Sequence, residues 1–246
     1  MVSGSRRQEN PDQEARIDPF APFAGPQARF EAAGIRCRRG ERVLFEGLSF
    51  ALAGGDALLL LGANGTGKTS LLRLLAGLLG PLDAQDGALS WRGRSVWDDP
   101  EAYHREVHFL GHADGIKAAL SVAENLSFWA GLHNRRKPDL DGALGVLDLA
   151  GFGDMPARFL SAGQRRRLAL ARLCAAPAPL WLLDEPTAGL DAASIARLEA
   201  LIASHRAAGG LVVASSHAAL KLEPAARIDL GSLARGTTTP FRMTPS

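Results

Sequence analysis

Between an apolar run, Leu58 to Leu61, and a helical pattern that begins near Lys68, the chain reads Gly62-Ala63-Asn64-Gly65-Thr66-Gly67-Lys68-Thr69-Ser70. This segment constrains the fold more than any other. It satisfies G-x-x-x-x-G-K-[ST] and sits between a predicted strand and a predicted helix, the context in which such a loop grips phosphate. Its glycines let consecutive backbone N–H groups curl around an anion, and the helix that follows adds its positive end. Lys68 supplies a mobile charge for β- and γ-phosphates, and the Thr69 hydroxyl can hold Mg²⁺. Lysine occurs elsewhere only at Lys117, Lys137 and Lys221, the basic side chains being otherwise arginine. The candidate phosphate-binding set is Gly62, Asn64, Gly65, Gly67, Lys68, Thr69 and Ser70.

The rest of the chain supplies a frame for that loop. Its 246 residues, 46% hydrophobic and 22% charged, suit one medium-sized domain with a lobe inserted into it. Ile35 to Phe45 and Leu48 to Leu52 read as strands, and Leu180 to Leu183 and Leu211 to Ala214 as buried ones. Ser121 and Glu124 form a capping box that opens a helix through about Ala130. Further helices are marked by Leu140, Leu144 and Leu147, by the stretch from Ser161 to about Ala175, and by Ala192 to Ala207. Strands at both ends and a helical middle from about 115 to 175 predict an α/β core with a helical insertion. Proline-rich residues 1–28 read as a flexible tail, 29–235 as the working domain, and 236–246 as a second tail.

Lysine plus arginine total 28 against 26 acidic residues, a net charge of +2, so no nucleic-acid partner is expected. Cys37 and Cys174 lie far apart without metal-ligand spacing and read as buried thiols in a reducing compartment. No apolar run approaches 18 residues and the start lacks an apolar signal core, so the expectation is a cytoplasmic protein that meets a membrane through a partner.

A second acidic signal completes the phosphate chemistry. Leu180-Trp181-Leu182-Leu183-Asp184-Glu185 is an apolar strand ending in two carboxylates. Asp184 can reach a metal through water, and Glu185 can polarise an attacking water. Together these features describe a P-loop nucleotide hydrolase.

Leu160-Ser161-Ala162-Gly163-Gln164 decides among the many classes of such enzymes. Here the sequence resembles the ATP-binding subunits of ABC transporters, whose LSGGQ-like signature stands shortly before the Asp-Glu strand. The resemblance covers nearly everything from 32 to 230. It implies an ABC ATPase core with an antiparallel β-subdomain and an inserted helical subdomain, ATP and Mg²⁺ as ligands, and a head-to-tail homodimer. In that dimer Ser161, Gly163 and Gln164 of one copy close on the γ-phosphate held by Lys68 and Thr69 of the other. Ala188-Gly189-Leu190-Asp191 resembles the loop that couples the two sites, and His217 stands where the family keeps a histidine that helps hold the attacking water. Arg165, Arg166 and Arg167 read as a solvated helix face.

Two departures from the family follow. The aromatic ring that often stacks on adenine is missing near Cys37-Arg38-Arg39-Gly40-Glu41-Arg42, which leaves the Arg38 guanidinium as the stacking candidate. The metal-sensing glutamine that also faces the membrane subunit falls at His112, whose neutral imidazole can accept from a metal-bound water. Glu41-Arg42-Val43-Leu44-Phe45, Tyr103-His104-Arg105, Leu110-Gly111-His112 and Glu124-Asn125-Leu126 resemble one branch, the ATP-binding subunits of bacterial haem exporters of cytochrome c maturation. That likeness implies a peripheral ATPase on the cytoplasmic face of the inner membrane, docked on multi-pass haem-exporter permease and haem-handling subunits. His104, His108 and His112 read as loop and coupling residues, not haem ligands. The alternative is the ATP-binding subunit of another small exporter of drugs, lipids or ions.

Overall fold

The computed structural model describes residues 28–39, 42–80, 87–133, 138–216 and 220–233. Within them the strands form two sheets. β1 (Arg29–Arg39), β2 (Arg42–Ala53), β4 (Ala88–Trp91) and β5 (Arg94–Ser95) make an antiparallel sheet in the order β2-β1-β4-β5. β3 (Ala57–Leu61), β6 (Val107–Leu110), β7 (Leu180–Asp184), β8 (Leu211–Ser215) and β9 (Ala226–Asp229) make a parallel sheet in the order β6-β7-β8-β3-β9.

The apolar runs of β3, β7 and β8 are continuous because both faces of the parallel sheet are covered. Leu58, Leu60, Leu180, Leu182, Leu211 and Val213 pack on one side with the antiparallel sheet and helix α1 (Lys68–Leu75). Ala57, Trp181, Leu183, Val212 and Ala214 face the other side, where the remaining long helices lie. Strand β9, in contrast, alternates buried Ala226 and Ile228 with exposed Arg227 and Asp229, as suits an edge strand with one covered face. Leu182, fully buried in the middle strands, would cost about 2–5 kcal/mol on truncation to alanine.

The helical middle consists of α3 (Val122–Leu132), α4 (Leu140–Val146) and α5 (Ala162–Ala175), preceded by the short α2 (Pro100–Arg105) and followed by α6 (Ala192–Ala207). The expected capping box of α3 is complete. Ser121 Oγ accepts from Glu124 N at 3.1 Å, and Glu124 Oε2 accepts from Ser121 N at 2.7 Å. Val122, Leu126, Leu144, Leu147 and Leu168 bring these helices into one core with Leu183. Cys37 and Cys174 are both buried, and burial pushes the Cys174 thiol up to about 12.

Two expectations need correction here. Ile35 to Phe45 is not one strand: the chain reverses between Arg39 and Arg42, which pair with each other, and β2 then runs unbroken to Ala53. Local alternation could not reveal this, because the pairing partner and not the residue pattern carries β2 across Glu46 and Gly47. His104 and His108 are not loop residues: His104 lies in the last turn of α2, and His108 lies in a strand. His108 sits buried in β6 with Nε2 against the Ala176 carbonyl and its ring 4.1 Å from that of His133, and burial holds its pKa well below the usual value. Of the two proposed tails, residues 1–27 and 236–246 lie outside the described residues, while Ala28, placed in the first tail, is buried in the core and belongs to the domain.

Candidate functional site

Parallel pairing gathers the carboxyl ends of four strands at one edge. Leu60 lies opposite Ser215, Ser215 opposite Asp184, and Leu183 opposite Leu110. The described segments that leave there are Gly62–Ser70, Ser216, Glu185 onward and Gly111–Asp114. An open parallel sheet places ligands at this edge. A cleft of about 360 Å³ lies there, lined by Leu44, Asn64, Gly65, Gly67, Lys68, Thr69, Ser70, His112, Asp184 and Glu185.

The glycine loop has the backbone its composition promised. Gly62, Gly65 and Gly67 adopt φ of 137°, 82° and 104°, values that side-chain-bearing residues rarely reach. A Cβ on Gly67 would also press within 3.3 Å of Leu44 and Phe45. Gly67 is the N-cap of α1 and offers no side-chain cap, so the first-turn N–H groups of α1 have no side-chain acceptor at that cap. Lys68 is 6% exposed, and its ammonium donates to the carbonyls of Gly62 at 2.7 Å and Ala63 at 3.2 Å. The charge therefore sits inside the curl of the loop.

Opposite the loop, the end of β7 is held by hydroxyls. Thr69 Oγ1 donates to Asp184 Oδ2 at 2.7 Å, and Ser215 Oγ donates to Asp184 Oδ1 at 2.8 Å. The Glu185 N–H donates to Ser215 Oγ at 3.0 Å, and Glu185 itself has φ 46°, a left-handed conformation for a residue with a Cβ. Thr69 and Asp184 present oxygen donors only, the set a hard cation such as Mg²⁺ prefers. Lys68, the glycine loop and an α1 N-terminus without a side-chain cap fit a polyphosphate anion.

Comparison with known proteins agrees with this geometry. The family described as "ABC transporter" matches residues 45–188. This chain belongs to the ABC transporter family. The ABC cassette fold is shared with a putative ABC transporter ATP-binding protein of Pyrococcus furiosus, at TM-score 0.72 and 20% identity, covering 83% of this chain and 98% of that one. Among curated relatives, a Paramagnetospirillum magneticum protein named cytochrome c biogenesis ATP-binding export protein CcmA is 52% identical over 86% of this chain and 98% of its own length. A Rhodospirillum rubrum protein of the same name is 53% identical over 87% and 91%. As an ABC ATPase, the chain is an ATP-hydrolysing transport enzyme.

The remaining ABC signature residues stand apart from the cleft of their own chain. Ser161 caps α5, its Oγ accepting from Gln164 N at 3.2 Å while Gln164 Oε1 accepts from Ser161 N at 2.8 Å. Gly163 lies between them, close to the Gly189 carbonyl. Asp191 caps α6 by accepting from Ser194 N at 2.7 Å, and that bond, with help from the Ser194 side chain, lowers its pKa. None of these four lines the cleft. Arg38 does not line it either; from the first sheet Leu44 does, because it packs over Gly67. His112 lines the cleft beside Asp184 and Glu185. His217 lies outside the described residues, two positions past Ser215.

The arginines after the signature are not a solvated face. Arg165 donates to the Leu160 carbonyl at 2.8 Å, and Arg167 pairs with Asp148 at 2.8 Å. Arg166 is 5% exposed and binds the backbone at the end of β7. Sequence reasoning missed this residue, although a signal existed: Arg166, Leu170 and Leu173 are spaced i, i+4, i+7, the stripe that α5 buries. It also missed α2, whose Asp99 cap and Pro100 start were legible.

Proposed function

We propose that this chain is the ATP-hydrolysing subunit of a membrane haem exporter used in c-type cytochrome biogenesis. The observation that carries this reading is the identity of 52–53% of aligned residues, over 86–87% of this chain, with relatives named for cytochrome c biogenesis export. Among the described residues no helix is long and apolar enough to cross a membrane, which accords with docking on multi-pass subunits at the inner face of the cytoplasmic membrane.

In this mechanism Gly62, Asn64, Gly65, Gly67 and Ser70 wrap the phosphates of ATP, and Lys68 neutralises the β- and γ-oxygens. Thr69, Asp184 and His112 are the residues that would hold Mg²⁺, which when bound would supply positive charge against that developing on the phosphate oxygens. Glu185 takes a proton from the attacking water, and His217 orients that water. Ser161, Gly163 and Gln164 of a second copy close over the γ-phosphate, and Asp191 links the two sites. Positioning and electrostatics carry the rate. Leu44, covering Gly67, gives the nucleotide an aliphatic neighbour in place of a ring; base stacking by Arg38 requires its side chain to swing toward the cleft.

The test is holocytochrome c in a strain lacking the gene, complemented with wild type, Lys68→Ala or Glu185→Gln. Haem-stained cytochromes should disappear and return with wild type alone. Cytochromes untouched by the deletion would assign the ATPase to another small exporter.

A further inference from the structure

Arg166 sits on α5 two residues after the signature, yet its side chain crosses to the catalytic edge. Its Nη2 donates to the carbonyls of Asp184 at 3.1 Å and Glu185 at 2.8 Å. Its Nη1 donates to the Gly111 carbonyl at 3.1 Å and to Asp114 Oδ1 at 2.9 Å. One guanidinium thus ties three elements: the signature helix, the end of β7, and the loop whose centre is His112.

We propose that Arg166 is a positioning residue for hydrolysis, locking the backbone of Glu185 to the His112 loop. The proposal rests on the reading of Glu185 as the residue that directs the attacking water.

Three features favour this over a packing role. A buried guanidinium is expensive to desolvate, and an apolar side chain of similar volume would hold α5 against the sheet at less cost. Arg166 reaches one carboxylate, Asp114, whose side chain is 27% exposed. Its other described bonds all go to carbonyls at the cleft edge. Second, Glu185 needs external support, because φ 46° is strained for it. Ser215 holds its N–H and Arg166 holds its carbonyl oxygen, so the two peptide planes that aim its side chain are fixed from both sides. Third, the fork geometry matters. Arginine presents rigid paired donors to two carbonyls on one side and to a carbonyl and a carboxylate on the other, and a lysine ammonium cannot span them.

Arg172 provides the contrast. It lies on the same helix, donates to the Asp114 carbonyl at 3.4 Å and stacks over Trp129 at 4.1 Å, but reaches neither Asp184 nor Glu185. Holding the loop is its work. Arg166 joins the loop to the catalytic strand.

The experiment is steady-state hydrolysis by the full chain, with a fluorescent ATP analogue to measure binding, for wild type, Arg166→Met, Arg166→Lys, Asp114→Ala and Glu185→Gln. Arg166→Met should lose roughly 10²-fold in kcat while KM and analogue binding stay within about threefold, since a misplaced catalytic group affects turnover and not ground-state binding. Arg166→Lys should recover only a small part of that loss. Asp114→Ala keeps the bonds to β7 and cuts the carboxylate arm, so about a tenfold fall in kcat at constant KM is expected. If Arg166→Met fails to bind the analogue because it does not fold, Asp114→Ala decides. Wild-type kcat in a folded Arg166→Met, full rescue by lysine, or wild-type kcat in Asp114→Ala overturns the proposal. Wild-type turnover in Glu185→Gln removes the underlying assignment of Glu185, whatever the arginine variants do.

Discussion

Two helix N-termini in this molecule carry segments proposed to grip phosphate, the glycine loop before α1 and Ser161-Ala162-Gly163-Gln164 at α5, and they are finished differently. Helix α1 starts at Gly67 with no side-chain cap, inside the cleft, with a lysine ammonium held in the adjoining loop. Helix α5 starts at Ser161 with a complete capping box and lies outside the cleft. At α1 no side-chain acceptor is supplied at the cap, so the grip is ready for an anion. At α5 Ser161 and Gln164 satisfy each other, which stabilises the helix and leaves the grip without a phosphate site in its own chain. The difference fits the proposal that one nucleotide site is assembled from unlike halves: a catalytic half built by the parallel sheet, and a second half presented by another copy.

The largest effect should come from the α1 side. Lys68→Ala is expected to weaken ATP binding and abolish measurable hydrolysis, a loss of roughly 10²-fold or more, checked by equilibrium binding and phosphate release. Unchanged hydrolysis would break the comparison at its stronger end.

Acid probes the sheet that supports both halves. His205 of α6 stacks on Trp181 of β7 at 3.7 Å between ring centres, and burial lowers its pKa to about 4. The unfolded chain, with an ordinary histidine, takes up that proton first. Stability contributed by the neutral ring is therefore present above about pH 6.5 and is lost as the pH falls toward 4, by at most about 3 kcal/mol. His205→Phe should keep the stacking and flatten this acid slope in denaturant titrations.

The smallest effect belongs to the α5 cap. Ser161→Ala should cost about 1 kcal/mol of stability through the lost cap, read as a lower Tm. If the second-half assignment is right, it also slows hydrolysis about tenfold without weakening nucleotide binding by the single chain. A change in Tm alone would reduce Ser161 to a helix cap.

Much of this architecture was legible in the residues. Leu58–Leu61, Leu180–Leu183 and Leu211–Ala214 lie in strands buried on both faces, and burial on both faces is why each is an unbroken apolar run. Gly62–Thr69 and Asp184-Glu185 were readable because phosphate and metal chemistry demand fixed spacings along a short stretch of chain. Other features escaped for the opposite reason. The boundary between β1 and β2 is set by cross-strand partners, and β6 is a four-residue strand whose buried histidine meets the Ala176 carbonyl. Arg166 looked solvated among three arginines because its acceptors, three main-chain carbonyls and the Asp114 carboxylate, lie 18 to 55 residues away, beyond the reach of any local pattern.

The most direct test of the shared site is the mass of Glu185→Gln in solution, with and without Mg-ATP, alongside bound nucleotide per chain. With hydrolysis blocked, the expected result is one chain without nucleotide and two chains with two ATP molecules when it is present, the pairing lost in Glu185→Gln carrying Lys68→Ala. A single chain that binds ATP fully and stays alone would contradict the account, because the cleft would then hold its substrate without the second half.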